Sequence, residues 1–312
     1  MSQRITLPNT DLSVYPLCLG GNVFGWSANQ AQSFEVLDHH QNLGGNFIDT
    51  ADVYSAWIPG NKGGESEDII GAWMAERGTR EETVVATKVA KLEGRLGLSR
   101  DNIIAACDDS LRRLQTDYID LYYAHEDDQH TPLEETLGAF DELQRAGKIR
   151  FAAASNYSPE RLKQAMDVSH NAGLAKYVAL QNQYNLMERA EFETNDAPML
   201  TKLGLSALPY FSLAMGFLTG KYQPGETVES ARSGGVEHYK TDRGWAVVEA
   251  LGQVASETYS TPSAVALAWL RSNPLVSAPI ASARTPEQLA AIMPILNLSA
   301  EQVARLTAAS SL

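Results

Sequence analysis

Short apolar runs of β type alternate along the chain with longer segments whose apolar positions recur at helical spacing. The runs are Leu17–Leu19, Phe47–Asp49, Val84–Lys88, Ile119–Ala124, Ile149–Ala154, Val178–Gln181, Leu205–Pro209 and Val276–Ile280. They are apolar in continuous stretches, as in strands buried on both faces. Between them, Ile103, Ala106, Ser110 and Leu114 share one helix face behind a capping Ser99. Pro132 with Glu134 and Glu135 opens another helix, its acids at the positive end of the dipole, and Ala146-Gly147 closes it with a glycine cap. Ser158-Pro159-Glu160 starts a third in the same way. Ahead of these, Arg4 to Leu7 and Leu12 to Val14 flank Pro8-Asn9-Thr10-Asp11, which predicts a hairpin.

Strands that each lead into a helix predict an α/β fold, a parallel (β/α)8 TIM barrel with an N-terminal β-hairpin and additional C-terminal helices. An open doubly wound sheet satisfies the same alternation. No Pro/Ser-rich linker or shift of composition divides the chain, so residues 1–312 are read as one domain. Two stretches look like additions: a Pro/Gly-rich loop over 57–64 and a long polar segment over 222–241. Each is expected to be a lid or binding loop, or else a mobile surface loop.

Composition narrows the function. The chain of 312 residues is 44% hydrophobic and 20% charged, as in ordinary globular proteins. Its net charge of −13 opposes nucleic acid as the main partner, and basic residues occur only in short pairs such as Arg112-Arg113. An anionic cofactor needs only a few local donors. The two cysteines, Cys18 and Cys107, lie far apart with no metal-type spacing, which points to a reducing compartment and no metal site. The N-terminal residues lack an apolar signal core, and no run of about 18 apolar residues occurs, so a cytoplasmic location and no membrane partner are expected.

In a barrel, the loops leaving the C-terminal strand ends build the active site. Three successive strands end on Asp49, Lys88 and His125, and Tyr54 follows the first by a short loop. Each has a plain structural alternative: a turn cap, a solvent-facing amine, a core imidazole, a loop-packing ring. Together they make a specific chemistry. A phenol is a weak acid near neutral pH unless a cation stabilises its anion. A lysine supplies that cation, a carboxylate keeps the lysine charged in a desolvated site, and a histidine can hold a carbonyl oxygen. The set contains no nucleophile, so attack on the carbonyl carbon falls to a carried hydride, as from a nicotinamide.

Several stretches carry a resemblance to the aldo-keto reductase superfamily. They are Gly45-Asn46-Phe47-Ile48-Asp49-Thr50-Ala51-Asp52-Val53-Tyr54, Gly64-Glu65-Ser66-Glu67, Ala86-Thr87-Lys88, and Asp117 through His125. Further on come Ala154-Ser155-Asn156-Tyr157, Gln181 through Asn185, Gly216 through Lys221, and Arg284 through Leu289. The resemblance implies that Tyr54 is the general acid, with Lys88 and Asp49 lowering its pKa and His125 orienting the substrate oxygen. It places Ser155, Asn156 and Gln181 at the nicotinamide carboxamide and Tyr210 against the nicotinamide ring. It gives the loop Tyr210-Phe211-Ser212-Leu213, with Gly216 and Lys221 following, to the pyrophosphate, and Arg284 and Gln288 to the adenosine end. A guanidinium pairs with phosphate in bidentate fashion, so Arg284 favours NADPH (bound and released as NADP) over NADH. The family's usual acid and asparagine against adenine are replaced here by Ala291 and Ile292.

Phe24, Trp26, Trp57 and Ile58 sit just beyond strand ends and are expected to line an aromatic pocket for a small-molecule carbonyl substrate, an aldehyde, a keto-sugar or a methylglyoxal-like compound. The runner-up functions are a redox-sensing binding subunit resembling the potassium-channel β-subunits, a keto-sugar reductase within a biosynthetic pathway, and a barrel aldolase or isomerase with Lys88 as a Schiff-base amine. The chain starts directly at the hairpin, which disfavours the channel-subunit reading. Gly216 through Tyr222 lacks the spacing and the hydroxyl of a P-loop, and no Gly-x-Gly-x-x-Gly opens a helix. His125 through His130 matches no zinc or calcium spacing. No sequence feature bears on oligomeric state.

Overall fold

A computed structural model describes residues 4–225, 228 and 233–311. The N-terminal hairpin pairs β1 (Ile5–Thr6) with β2 (Ser13–Val14) in antiparallel register. Eight parallel strands follow: β3 (Cys18–Gly20), β4 (Phe47–Asp49), β5 (Val84–Val89), β6 (Ile119–Ala124), β7 (Ile149–Ser155), β8 (Tyr177–Gln181), β9 (Ser206–Ala207) and β10 (Ile280–Ala281). They form one sheet in the order β10-β3-β4-β5-β6-β7-β8-β9. The ring closes where Ala207 bridges Val276, with Ala207 N donating to Leu275 O at 2.7 Å and Ile280 N donating to Pro209 O at 2.9 Å. The fold is a (β/α)8 barrel.

Strand periodicity sorts the two cores. On β5, Val84 and Ala86 belong to the apolar cluster inside the barrel, while Val85 and Val89 belong to the cluster under the helices. Leu7, Leu12 and Val14 of the hairpin join the inner cluster with Phe47 and Val84 and so cover the N-terminal strand ends. Asn46 pins the hairpin there, accepting from Tyr15 N at 2.8 Å and donating to Ser13 O at 2.9 Å.

The seam strands differ from the expected runs. Leu205–Pro209 and Val276–Ile280 shrink to two residues each, and the last strand moves to Ile280–Ala281. Pro209 and Pro279 have no N–H to give to a ladder, so pairing is interrupted beside each. Pro279 contributes only its carbonyl, which accepts from Cys18 N at 3.0 Å.

The helices are α1 (Gln30–Asn42), α2 (Glu65–Arg77), α3 (Arg100–Leu114), α4 (Leu133–Arg145), α5 (Pro159–Ala172), α6 (Ala197–Leu203), α7 (Asp242–Glu257), α8 (Pro262–Arg271), α9 (Pro286–Ile292) and α10 (Ala300–Ala309). Ser158 caps α5 by accepting from Arg161 N, and Gly147 follows α4 at φ 74° as a left-handed stop. The C-terminal α10 lies against α7.

The 222–241 segment is not a loop throughout. Ser233–Tyr239 forms 3-10 turns in which Val236 and Tyr239 are buried, while 226, 227 and 229–232 lie outside the described residues. The 57–64 loop is tied to α2, because the Glu65 carboxylate accepts from Lys62 N at 2.6 Å and Gly63 N at 3.0 Å. Both cysteines are buried and unpaired. Among the described residues, no helix is long and apolar enough to cross a membrane.

Candidate active site

The same two-residue period that fills the barrel aims its last inward positions at the mouth. Asp49 stands two residues beyond Phe47, Lys88 two beyond Ala86, and Gln181 two beyond Ala179, each of those earlier residues lying in the inner cluster. The result is a compact charged knot. Lys88 Nζ donates to Asp49 Oδ2 at 2.7 Å, to Thr50 O at 2.7 Å and to Tyr54 Oη at 3.0 Å. Tyr54 Oη donates to the same Asp49 oxygen at 3.2 Å, and Gln181 Nε2 donates to Asp49 Oδ1 at 2.9 Å. The loop carrying Tyr54 is held from behind by Ser55, whose hydroxyl donates to Phe24 O at 2.8 Å.

Electrostatics follow from burial. Desolvation pushes the Tyr54 phenol well above its ordinary value, and the neighbouring Asp49 adds to the rise. This differs from the expected lowering by Lys88 and Asp49: burial and the adjacent Asp49 charge both oppose the phenolate, so the resting phenol is held protonated. Burial lowers Lys88, against the opposing pull of Asp49. His125 sits with its ring centroid 6.1 Å from that of Tyr54. Its pKa is driven well below the usual histidine value, first by burial and then by Lys88 and Lys91. The imidazole is therefore neutral, with Nδ1 buried and unpartnered.

A cavity of about 680 Å³ opens above this knot. Asp49, Tyr54, His125, Trp26 and Trp57 line it, together with Ser155, Asn156, Gln181 and Tyr210 and with Arg284, Gln288, Ala291 and Ile292. Lys88 lies beneath it. Trp57 meets Trp26 edge-on at 5.6 Å and Tyr54 at 6.3 Å. Two expected lining residues do not reach the cavity. Phe24 turns its ring into the core with no exposure, and Ile58 lies on the 57–64 loop outside the lining. Residues not singled out from sequence do line it, among them Asn22, Lys91, Met215, Thr219, Ser263 and Ser282.

The middle of the cleft has a distinctive backbone. Phe211 (φ 51°), Ala214 (φ 47°), Met215 (φ 56°) and Gly216 (φ 97°) take left-handed conformations after β9. Non-glycine residues hold such angles only where the surroundings over-determine them, and alternation with right-handed residues creates concave nests of backbone N–H that suit anions. Asn185 braces this loop by donating to Phe211 O at 2.9 Å, and Ser212 by donating to Pro209 O at 2.9 Å. At Gly216 the φ of 97° is what favours glycine, since a Cβ placed there would meet Lys221 Nζ at 3.4 Å, an ordinary van der Waals contact. Among the described lining residues Lys91, Lys221 and Arg284 are basic and Asp49 is the one carboxylate, though Lys91 also pairs with Glu126 at 3.2 Å, so the lining is cationic in a strongly acidic protein. Arg284 N donates to Gln288 Oε1 at 3.0 Å beside the start of α9. A cationic cleft with such an amide-bearing loop suits a phosphate-bearing ligand.

Comparison with known proteins agrees with this arrangement. The family model described as "Aldo/keto reductase family" matches residues 16–311. An uncharacterized oxidoreductase, YrpG, from Bacillus subtilis is 35% identical over 91% of this chain and 87% of its own. Protein tas of Escherichia coli is 32% identical over 91% of this chain and 90% of its own. A protein of Schizosaccharomyces pombe named as a putative voltage-gated potassium channel subunit beta is 33% identical over 91% of this chain and 85% of its own. With a matching model across nearly the whole barrel and relatives at these identities over the same span, the chain belongs to the aldo/keto reductase family.

Proposed function

We propose that this oxidoreductase reduces the carbonyl of an aldehyde or ketone to an alcohol with NADPH, using Tyr54 as the general acid. The observation that carries the reading is the Lys88 amine, buried beneath the cleft and in hydrogen-bond contact with both the Tyr54 phenol and the Asp49 carboxylate.

NADPH, when bound along the cleft, supplies the hydride. The chain's own residues do the rest. The neutral His125 offers Nε2 to the carbonyl oxygen, since its Nδ1 is sealed in the wall. The carbonyl oxygen gains negative character as the carbon is reduced, and the Tyr54 hydroxyl transfers its proton there. Lys88 Nζ already contacts that oxygen of Tyr54 and stabilises the phenolate as it forms, while Asp49 keeps the amine charged. The high resting pKa of Tyr54 keeps the proton available before the reaction. Ser155, Asn156, Gln181 and Tyr210 would hold the nicotinamide end, Phe211 through Leu213, Gly216 and Lys221 the pyrophosphate, and Arg284 and Gln288 the phosphorylated ribose. Trp26 and Trp57 would wall the substrate, and the buried unpaired thiols suit a cytoplasmic setting.

Tyr54→Phe tests the reading. Turnover in a screen of aldehydes and ketones with NADPH should fall by roughly a hundredfold or more, the scale of general-acid catalysis, with cofactor affinity nearly unchanged. Full activity in that variant would refute the assigned acid. Relatives named as potassium-channel β-subunits support a second reading, a redox-sensing docking subunit. Co-purification with a stoichiometric membrane partner, and no turnover in the screen, would favour it.

A further inference from the structure

A chain of hydrogen bonds leads from the cleft to a carboxylate that the proposed reaction does not use. Asp196 ends a single π-helical turn, Phe192–Asp196, immediately before α6, and is 2% exposed. Such turns are rare and recur at functional sites. Asp196 Oδ2 accepts from Asn182 Nδ2 at 2.9 Å, and the same nitrogen reaches Tyr157 O at 3.3 Å. With its NH2 end committed, Asn182 presents Oδ1 the other way, where it accepts from Asn156 N at 2.8 Å. Asn156 holds a left-handed φ of 55° and touches the cleft on two sides. Its Nδ2 donates to His125 O at 2.8 Å, and its Oδ1 accepts from Tyr210 Oη at 2.9 Å. Tyr210 N in turn donates to Asn182 O at 3.2 Å.

The Asn182 amide is oriented by partners of fixed polarity, since the Asn156 N–H can only donate to Oδ1 and the Tyr157 carbonyl can only accept from Nδ2, and a charged acceptor on Nδ2 holds it most firmly. An ionised carboxylate accepts only. We propose that Asp196 is a positioning residue for the nicotinamide end of the cleft: it locks the Asn182 amide, which holds Asn156 and, through it, His125 and Tyr210. The inference rests on the reading of the cleft as a dinucleotide site.

Burial raises the Asp196 carboxyl to about 6, partly opposed by the Asn182 hydrogen bond and assisted by Glu191. The groups facing it are the Asn182 amide, the Glu191 carboxylate from the preceding turn and the Tyr210 phenol, which burial and then Asp196 push upward. The ionised form dominates above that value and is lost as pH falls through it. Protonation removes the charge that strengthens the bond from Asn182 Nδ2, which loosens the Asn182 amide beneath Asn156.

The test is titration of NADP by quenching of tryptophan fluorescence between about pH 5 and pH 8 in the wild type, Asp196→Asn and Asp196→Ala. Acidification should weaken the wild type roughly five- to tenfold more than Asp196→Asn. The ligand's own 2′-phosphate titrates near the same pH in both proteins, so only the difference between them is read. Asp196→Ala should bind about tenfold more weakly at the alkaline end. Asp196→Asn should melt no lower than the wild type near neutrality, which separates positioning from a loss of folding. Parallel pH curves for wild type and Asp196→Asn, or unimpaired binding by Asp196→Ala, would overturn the inference alone. A wild type that binds no NADP at any pH would overturn the reading of the cleft and this inference together.

Discussion

Gln181 on β8 donates from Nε2 to Oδ1 of Asp49 on β4 at 2.9 Å, across the mouth of the barrel. The other oxygen of Asp49 receives Lys88 and Tyr54, so the amide belongs to the charged knot as well as to the cleft above it. Gln181→Glu would set a second carboxylate against Asp49, and two such groups share a proton rather than both ionise. The expected outcome is a kcat lower by about tenfold or more together with weaker NADP binding. Steady-state kinetics and ligand titration on one preparation check both. An unchanged kcat would remove Gln181 from the knot.

Lys88 and Asp49 form an ion pair with side chains 0% and 2% exposed. Lys88→Met leaves a buried carboxylate uncompensated, and such losses cost about 3–5 kcal/mol. Urea unfolding should show that loss, and a second change, Asp49→Asn, should recover most of it while activity stays absent. A single variant as stable as the wild type would mean that the pair contributes nothing to folding.

Asp52 is fully buried and neither carboxylate oxygen has a hydrogen bond of good geometry. Burial, with Glu67 beside it, raises its pKa from 3.8 to about 8. The folded state therefore retains a proton that the unfolded chain has released across this interval, so stability falls as pH rises through it. Asp52→Asn abolishes that dependence. Its stability advantage over the wild type should grow from acid to mildly alkaline pH and then level off, as thermal melts across the range would report. A constant difference between the two proteins would contradict the raised value.

Arg284 lines the same cleft as Tyr54 and stands just before α9. Loss of a bidentate contact to a phosphate weakens binding by about 1.5–3 kcal/mol. Arg284→Ala should therefore weaken NADPH by roughly ten- to a hundredfold and leave NADH nearly unaffected. Parallel titrations with the two dinucleotides decide it, and equal losses for both would place the guanidinium elsewhere than at the 2′-phosphate.

The alternation of strands and helices was legible because each buried strand is a continuous apolar run. The ends of those runs pointed to Asp49, Lys88 and His125 at one rim. The hidden parts share a physical reason: they depend on closure of the ring or on backbone angles. The bond from Gln181 to Asp49 joins residues 132 apart, and nothing local at either foretells it. Asp196 and Asn182 lie below the cleft and look like ordinary polar residues of a loop and a helix end. Phe211, Ala214 and Met215 carry no mark of positive φ, since that conformation is imposed by what surrounds them. Phe24 follows a strand end as a lining residue would, but the turn Gly21–Val23 directs its ring inward. The shortened seam strands were foreshadowed by Pro209 and Pro279, a signal that apolar content outweighed.

Those two prolines leave the barrel with a weak stave. Where β5 and β6 are joined along four successive residue pairs, β9 meets the segment before β10 through one bridge and a few carbonyls. Thermal opening of the cylinder should start at this join, so the amides of Ala207, Ser277 and Ile280 should exchange with deuterium before those in the middle of β5. The strained loop that follows β9 springs from the same join, so ligand held by that loop would slow the exchange and act as a clasp on the whole ring.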